Sequence, residues 1–360
     1  MNRRTFTQLG ITTALGWAST GCRLTIPKKV KPQRPSMVNT LYYRANTFHY
    51  NPDHIKADLD WMAEHGTNAL TMAISETDFG RADRNIATIV REAHARGIKV
   101  LFVTSRWAGI FAGAPKAPSL FAATHPHTWS LNENGQPYFH SSGPICSIYY
   151  PEVYEFFTQQ LDEAFNRWGL DGVMWDEPKA YQLDFAPQAL AILSEQAVMD
   201  SPYPTALELH VANYCDYISS LNDHLRQHYP DKLISFFAYP YLSDFFVDRA
   251  ATIRHLDYFG ADGRPYPNTE EPTELKGKKF LLGEGAIGFR YVAKAQEVGL
   301  KSMVLIENFK TKSVEYALLE RYLDEIIPAV DQFAYYYYPR SCAEPDYVMN
   351  LITRYLKKYV

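Results

Sequence analysis

Cysteine is scarce in this 360-residue chain, with four at Cys22, Cys146, Cys215 and Cys342, and no pair stands at a spacing that ligates a metal. A zinc-built fold is therefore not expected. No block of lysine and arginine occurs beyond the N-terminus, and 36 basic residues face 40 acidic ones, which argues against a nucleic-acid partner. No Gly-x-Gly-x-x-Gly follows a strand-like segment, which disfavours a dinucleotide-binding fold, and no repeat at solenoid spacing stands out. The apolar run from Leu9 to Trp17 is too short to cross a bilayer as a helix.

What is present in quantity is aromatic: 26 Tyr, 20 Phe and 6 Trp, in a chain whose 46% hydrophobic content can bury a large core. Amphipathic rings fill cores and also make stacking surfaces for sugars. At the N-terminus, Arg3-Arg4-Thr5-Phe6 followed by a short apolar run resembles a twin-arginine export signal. Ser19-Thr20-Gly21-Cys22 resembles a lipobox, with Ser19 where that motif usually has Leu, and the resemblance implies lipidation of Cys22. Residues 1–22 thus read as an export signal with its lipidation site. Residues 23–36, with Pro27, Lys28, Lys29, Pro32 and Pro35, read as a tether, and residues 37–360 as one folded domain. The membrane is then met only through a lipid anchor, in the periplasm or cell envelope. With Cys22 acylated, three cysteines remain, so at most one disulfide can form; oligomeric state is not legible.

From there the pattern alternates between short apolar runs and amphipathic segments, the signature of a parallel sheet with helices outside. Strands are predicted at Thr40 to Arg44, Asn68 to Ile74, Lys99 to Thr104, within the stretch Gly169 to Lys179 after a Gly-Leu-Asp-Gly turn and ending in Asp176 and Glu177, Leu233 to Ala238, Leu256 to Gly260, Ser302 to Ile306 and Gln332 to Tyr337. Helices are predicted at Asp53 to His65, Asp83 to Arg96, Pro151 to Trp168, Pro187 to Met199, Ala206 to His228, Ile287 to Val298 and Pro345 to Lys358. Lys279 to Leu282 is compatible with a further short strand, but an irregular entry into the following helix keeps the strand count at eight. The fold class is α/β, a single-domain (β/α)8 TIM barrel. The stretch from Trp107 to Tyr150 is too long for a simple connection and rich in aromatics, which marks it as functional.

In such a barrel the active site lies at the carboxyl ends of the strands. Those ends bring together Arg44, Glu76, Asp78, Arg106, Trp107, Asp176, Glu177, Tyr239, Tyr241, Asp262, Glu307, Asn308 and Tyr338. The stretch Gly169-Leu170-Asp171-Gly172-Val173-Met174-Trp175-Asp176-Glu177-Pro178-Lys179 is the centre of this reading. Pro178 cannot extend a ladder, so Asp176 and Glu177 close the fourth strand. Cleaving a glycosidic bond needs one carboxylic acid for the leaving oxygen and a second carboxylate as nucleophile or base, and the strand ends supply both.

Trp175-Asp176-Glu177-Pro178 resembles the Asn-Glu-Pro ending of strand four in the retaining TIM-barrel glycoside hydrolases. The resemblance implies Glu177 as acid/base, Glu307 as nucleophile across the mouth on strand seven, and Asp176 in place of the substrate-holding Asn. A carboxylate beside Glu177 is expected to help keep it protonated. Arg44, Glu76, Arg106, Trp107, Tyr239, Asp262, Asn308 and Tyr338 are expected to line the sugar site, without a metal or other cofactor. Asp171-Gly172-Val173-Met174-Trp175-Asp176 also resembles strand four of the alpha-glucosidase and alpha-galactosidase barrels. That resemblance implies Asp176 as nucleophile and Asp262 as acid/base. Strand alternation puts Met174 and Asp176 on one face and Glu177 on the other unless the backbone bends. A third reading is a non-catalytic carbohydrate-binding lipoprotein on the same barrel. His125-Pro126-His127 lies in the long third loop, away from where barrel metal ligands belong.

Overall fold

Eight parallel strands, each followed by a helix, close on themselves through hydrogen bonds between the first strand and the last. The computed structural model describes residues 35–42, 49–114, 116–262, 273–275, 278–280, 284–307, 316–336 and 344–359. The strands are β1 (Met37–Leu41), β2 (Ala69–Ile74), β3 (Lys99–Thr104), β4 (Gly172–Asp176), β5 (Leu233–Ala238), β6 (Tyr258–Ala261), β7 (Lys301–Glu307) and β8 (Gln332–Tyr336). They pair in sequence order, with Asn39 opposite both Ala69 and Ala334 at the closure. The helices that follow them are α1 (Pro52–Glu64), α2 (Asp83–His94), α3 (Pro151–Trp168), α4 (Ala206–His228), α5 (Asp244–Ala250), α6 (Glu284–Val298), α7 (Tyr316–Ile326) and α8 (Pro345–Tyr359).

Alternation along each strand separates two cores. Met37, Leu41, Ala69, Ala73, Leu101, Val103, Met174, Phe237, Met303, Leu305 and Ala334 fill the barrel interior. Their neighbours Leu70, Met72, Ile74, Val100, Phe102, Val173, Trp175, Ile234 and Phe236 face the helices. Asn39 and Thr71 are buried inside the barrel, where Asn39 Nδ2 donates to Thr71 Oγ1 at 2.9 Å and the Thr71 hydroxyl donates to Met174 Sδ at 2.9 Å. Helix starts and stops are local. Asn51 Oδ1 accepts from the His54 N–H ahead of α1, Pro151 opens α3, and Gly169, at φ 65°, ends it with its N–H on Phe165 O. α2 buries Ile86, Ile89, Val90 and Ala93, one face at helical spacing.

Several boundaries differ from the sequence reading. β1 begins three residues earlier than predicted, because Met37 through Thr40 pair with Gln332 through Tyr335. The single helix expected over Pro187 to Met199 is two, Pro187–Ile192 and Glu195–Met199, because Ser194 turns out of the first and caps the second on the Ala197 N–H. The helix α5 was not predicted; Ser243 caps it through the Phe246 N–H. Lys278–Phe280 is a strand rather than an irregular entry, pairing antiparallel with Thr273–Leu275 outside the barrel, so the barrel count stays at eight. Among the described residues no helix is long and apolar enough to cross a membrane. Cys146 and Cys215 are both buried and free, and Cys342 and Cys22 lie outside the described residues.

Candidate active site

The interior face of β4 ends in a carboxylate. Gly172, Met174 and Asp176 alternate inward, so Asp176, 6% exposed, sits at the carboxyl mouth directly above the Met174 layer. Glu177 would then point outward, but its backbone takes a left-handed conformation, φ 35°, and its N–H donates to Phe237 O at 3.0 Å. That bend turns both carboxylates into the mouth. A non-glycine residue in this region stores strain that the surroundings must hold. They do so on the other side too, where the Ala112 N–H donates to Asp176 O at 2.9 Å and the Lys179 N–H to Ile110 O at 2.8 Å.

The third carboxylate, Asp262, follows β6, and its N–H donates to Ala238 O at 3.1 Å at the end of β5. One carboxylate oxygen each from Asp176, Glu177 and Asp262 lie within 4.8 Å of one another. Lys179 Nζ donates to Glu177 Oε2 at 2.8 Å. Burial alone would raise the Glu177 pKa, but the Lys179 charge, the bonds from Asp262 and Lys179, and the more distant Arg106 hold it below the ordinary value. The expectation that Glu177 is kept protonated is therefore corrected: the lysine two residues along, with the smaller effects beside it, outweighs burial. These three carboxylates are the group of described residues that could gather around a cation, and Lys179 already brings a positive charge to them.

The wall of the mouth comes from the long third loop. Arg106, 5% exposed and at φ 61°, donates from Nε to Gly113 O at 3.0 Å and from its guanidinium to His140 Nδ1 at 2.6 Å. His140 stands in a small ribbon, Phe139–His140 against Gly143–Pro144. Burial, then the charges of Arg106, Lys179 and Lys116, push its pKa down to about 4. Trp107 is not the sugar platform expected of it. It is fully buried, packed against Phe79, Phe102, Phe156 and Phe157, and has no face left for a ligand. Glu76 also plays another part than the expected one. Its carboxylate accepts from Ser119 Oγ, the Ala108 N–H and the Phe121 N–H, so it ties the loop down. Asp78 likewise is spent on Ser75 and Arg81.

Tyr239 is 41% exposed just past β5, its ring 5.1 Å from that of Tyr241, and remains placed as a surface at the mouth. Glu307 ends β7 in register with Tyr336, two and four residues beyond the interior Leu305 and Met303. Its side chain, with Arg44, Asn308 and Tyr338, lies outside the described residues. Lys179 and His140 are the site residues the sequence reading did not single out. The signal for Lys179 was its place two residues after Glu177; for His140 there was only its membership of the aromatic loop. His125 stacks on Phe121 and His127 meets Glu152, away from the three carboxylates.

No protein-family model matches the sequence, and no curated protein is similar to it in sequence. Similarity appears in the structure. The catalytic domain of a beta-amylase from Paenibacillus polymyxa aligns with TM-score 0.59 at 8% identity, over 90% of this chain and 98% of that one. An endo-1,4-beta-mannanase from Rhizomucor miehei aligns with TM-score 0.54 at 11% identity, over 92% and 96%. An alpha-galactosidase from Thermus thermophilus aligns with TM-score 0.50 at 15% identity, over 89% of this chain and 62% of that one. The fold is shared with the TIM-barrel glycoside hydrolases. At these identities the likeness concerns the barrel, and what happens at its mouth has to be argued from the residues above.

Proposed function

We propose that this protein is a glycoside hydrolase that cleaves an oligo- or polysaccharide by a two-carboxylate mechanism with retention of configuration. The observation that carries the reading is the convergence of Asp176 and Asp262 at the barrel mouth, with carboxylate oxygens within 4.8 Å. Retaining enzymes hold their two carboxyl groups about 5 Å apart, and inverting ones several ångströms further, to admit water between them. In this reading Asp176 attacks the anomeric carbon and forms a glycosyl ester while the glycosidic C–O bond breaks. Asp262 gives its proton to the leaving oxygen, then takes one back from the water that hydrolyses the ester. Tyr239 and Tyr241 offer rings against which a sugar can lie.

A second assignment has Glu177 as acid/base and Glu307 as nucleophile. It is favoured by the place of Glu307 in the chain, as the last residue of β7. The test is hydrolysis of a panel of aryl glycosides and polysaccharides by the wild type and by Asp176→Asn, Asp262→Asn, Glu177→Gln and Glu307→Gln. Loss of about 100-fold or more in kcat for the two aspartate variants, with a smaller loss in Glu307→Gln, is expected. Collapse in Glu177→Gln and Glu307→Gln with Asp262→Asn active would establish the second assignment. A protein that binds sugars and cleaves none would be a carbohydrate-binding barrel instead.

The N-terminal sequence supports a further part of the proposal, that the protein is exported and anchored by lipid on Cys22. Incorporation of a labelled fatty acid, abolished by Cys22→Ser, would show it; a label retained in that variant would refute it.

A further inference from the structure

Arg106 and His140 meet in the wall of the mouth in a way that fixes the state of the imidazole. A guanidinium nitrogen of Arg106 lies 2.6 Å from His140 Nδ1. A guanidinium carries only N–H donors, so Nδ1 accepts and is the ring nitrogen without a proton. The Ser141 hydroxyl, 3.1 Å from the same nitrogen, can donate to it as well. The single proton of the neutral ring is then on Nε2. That N–H has no partner among the described residues and is not sealed in the interior. The ring is held from several sides. Arg106, 5% exposed and at φ 61°, donates from Nε to Gly113 O at 3.0 Å and from its backbone N–H to Ala112 O at 3.1 Å. The Ala112 N–H is on Asp176 O at 2.9 Å, so His140 is joined to the end of β4 through Arg106 and residues 112 and 113. The ribbon that carries His140 is fastened by the Ile145 N–H on Tyr138 O at 3.0 Å and the Cys146 N–H on Ala108 O at 2.9 Å. Gly109 permits that approach, since a Cβ there would stand 2.2 Å from Pro144 O. Phe139 and His140 alternate along the ribbon: Phe139 is 58% exposed with its ring 6.0 Å from that of Trp129, whereas His140 turns to Arg106. Nδ1 and Nε2 lie on different sides of an imidazole, so pinning Nδ1 to the wall directs the Nε2–H away from it. The left-handed backbone of Arg106, strained for a non-glycine residue, points to a role for the side chain it aims.

We propose that His140 is a substrate-binding residue: with its tautomer set by Arg106, its Nε2–H donates a hydrogen bond to a hydroxyl oxygen of the sugar held at the barrel mouth. This deepens, and rests on, the glycosidase reading above. Arg106 is then a positioning residue, which acts on the sugar through the imidazole. Burial, then the charges of Arg106, Lys179 and Lys116, keep the ring neutral at ordinary pH, in agreement with this role. A neutral N–H with one fixed direction suits an uncharged hydroxyl, and as a donor it selects an oxygen presented as acceptor. A sugar with hydrogen in place of that hydroxyl leaves the N–H unpaired, which is how a polar site rejects a deoxy analogue. The bond is remote from the bonds that break and form, so it is made alike in bound substrate and transition state and shows in KM.

The experiment combines imidazole nitrogen NMR with kinetics on the full chain. The His140 ring, assigned by its absence from His140→Phe, is expected to show a protonated Nε2 and a bare Nδ1 at neutral pH. Its Nε2–H resonance is expected to shift when the methyl glycosides of glucose, galactose and mannose are added in turn, with one of them at least. With the aryl glycoside that the wild type cleaves, His140→Phe raises KM about 3- to 10-fold, the worth of one neutral hydrogen bond, with kcat little changed. His140→Gln, which keeps an N–H at similar reach, restores most of that loss. One deoxy form of the same glycoside is bound worse than its parent by the wild type, by a like factor, and no worse by His140→Phe; a purely structural role for His140 does not produce that pattern. In a protein that turns over, a proton on Nδ1, or KM and deoxy discrimination unchanged in His140→Phe, would overturn the inference and leave the glycosidase reading standing. A sugar-shifted Nε2–H in a protein that hydrolyses nothing would keep His140 its contact and refute the glycosidase reading instead. Neither hydrolysis nor such a shift would refute both.

Discussion

His140 is held neutral first by burial and then by the guanidinium beside it. Its Nδ1 accepts from Arg106, and burial with the nearby cations takes its pKa from 6.5 down to about 4. Between those two values the unfolded chain binds a proton that the folded chain does not, so stability rises with pH. It is fully present above pH 6.5 and is lost as pH falls toward 4. The ring is half open to water, so screening leaves about 1 kcal/mol rather than the full shift. Urea unfolding of wild type and His140→Gln at acid and neutral pH should show a steeper pH loss in the wild type by that amount. Equal slopes would remove the claim. The same scale shows what the sequence could tell of the site. Asp176, Glu177 and Asp262 were legible because each follows directly on an apolar run. That Glu177 turns inward was not, since its φ of 35° is imposed by Phe237, which lies on another strand. Trp107 was misread because an aromatic at a strand end looks the same whether it faces a sugar or four other rings.

At the scale of elements, the strands were the most readable part and the third loop the least. β3 and β5 fall where their continuous apolar runs place them, as buried parallel strands do. The loop is organised by contacts far apart in sequence. Glu76 reaches Ala108, Ser119 and Phe121, which stand 32, 43 and 45 residues away, and no local pattern encodes such a link. Removing that carboxylate leaves buried N–H groups without an acceptor. Glu76→Ala is therefore expected to cost about 1–3 kcal/mol, concentrated in the loop. Hydrogen exchange should rise in Ala108, Phe121 and their neighbours while β3 and β4 stay protected. Because residues 110–112 clip the Asp176–Lys179 turn, any glycosidase activity should fall with it. Unchanged exchange in the loop would mean that Glu76 does not tie it down.

At the scale of the whole molecule, the site depends on the barrel closing to its observed spacing, and Gly260 shows how little room there is. A Cβ on Gly260 would stand 1.9 Å from Met303 O and 2.7 Å from Met303 C, both backbone atoms of the neighbouring strand β7. The conflict cannot be relieved by rotating a side chain, because β6 and β7 are themselves held in register by pairs from Tyr258 with Lys301 to Ala261 with Val304. Gly260→Ala must push the two strands apart or shift β6 along its axis. Overpacking of this kind costs about 1–3 kcal/mol where neighbours can yield, and backbone neighbours yield least. Asp262 lies two residues further along the same chain, and its carboxylate stays within 4.8 Å of those of Asp176 and Glu177 only if β6 keeps its place. The expected result is a lower melting temperature together with loss of any glycosidase activity that depends on Asp176 and Asp262. A Gly260→Ala protein with unchanged stability would show that the strands have slack, and the tight closure that aligns the carboxylates would have to be given up.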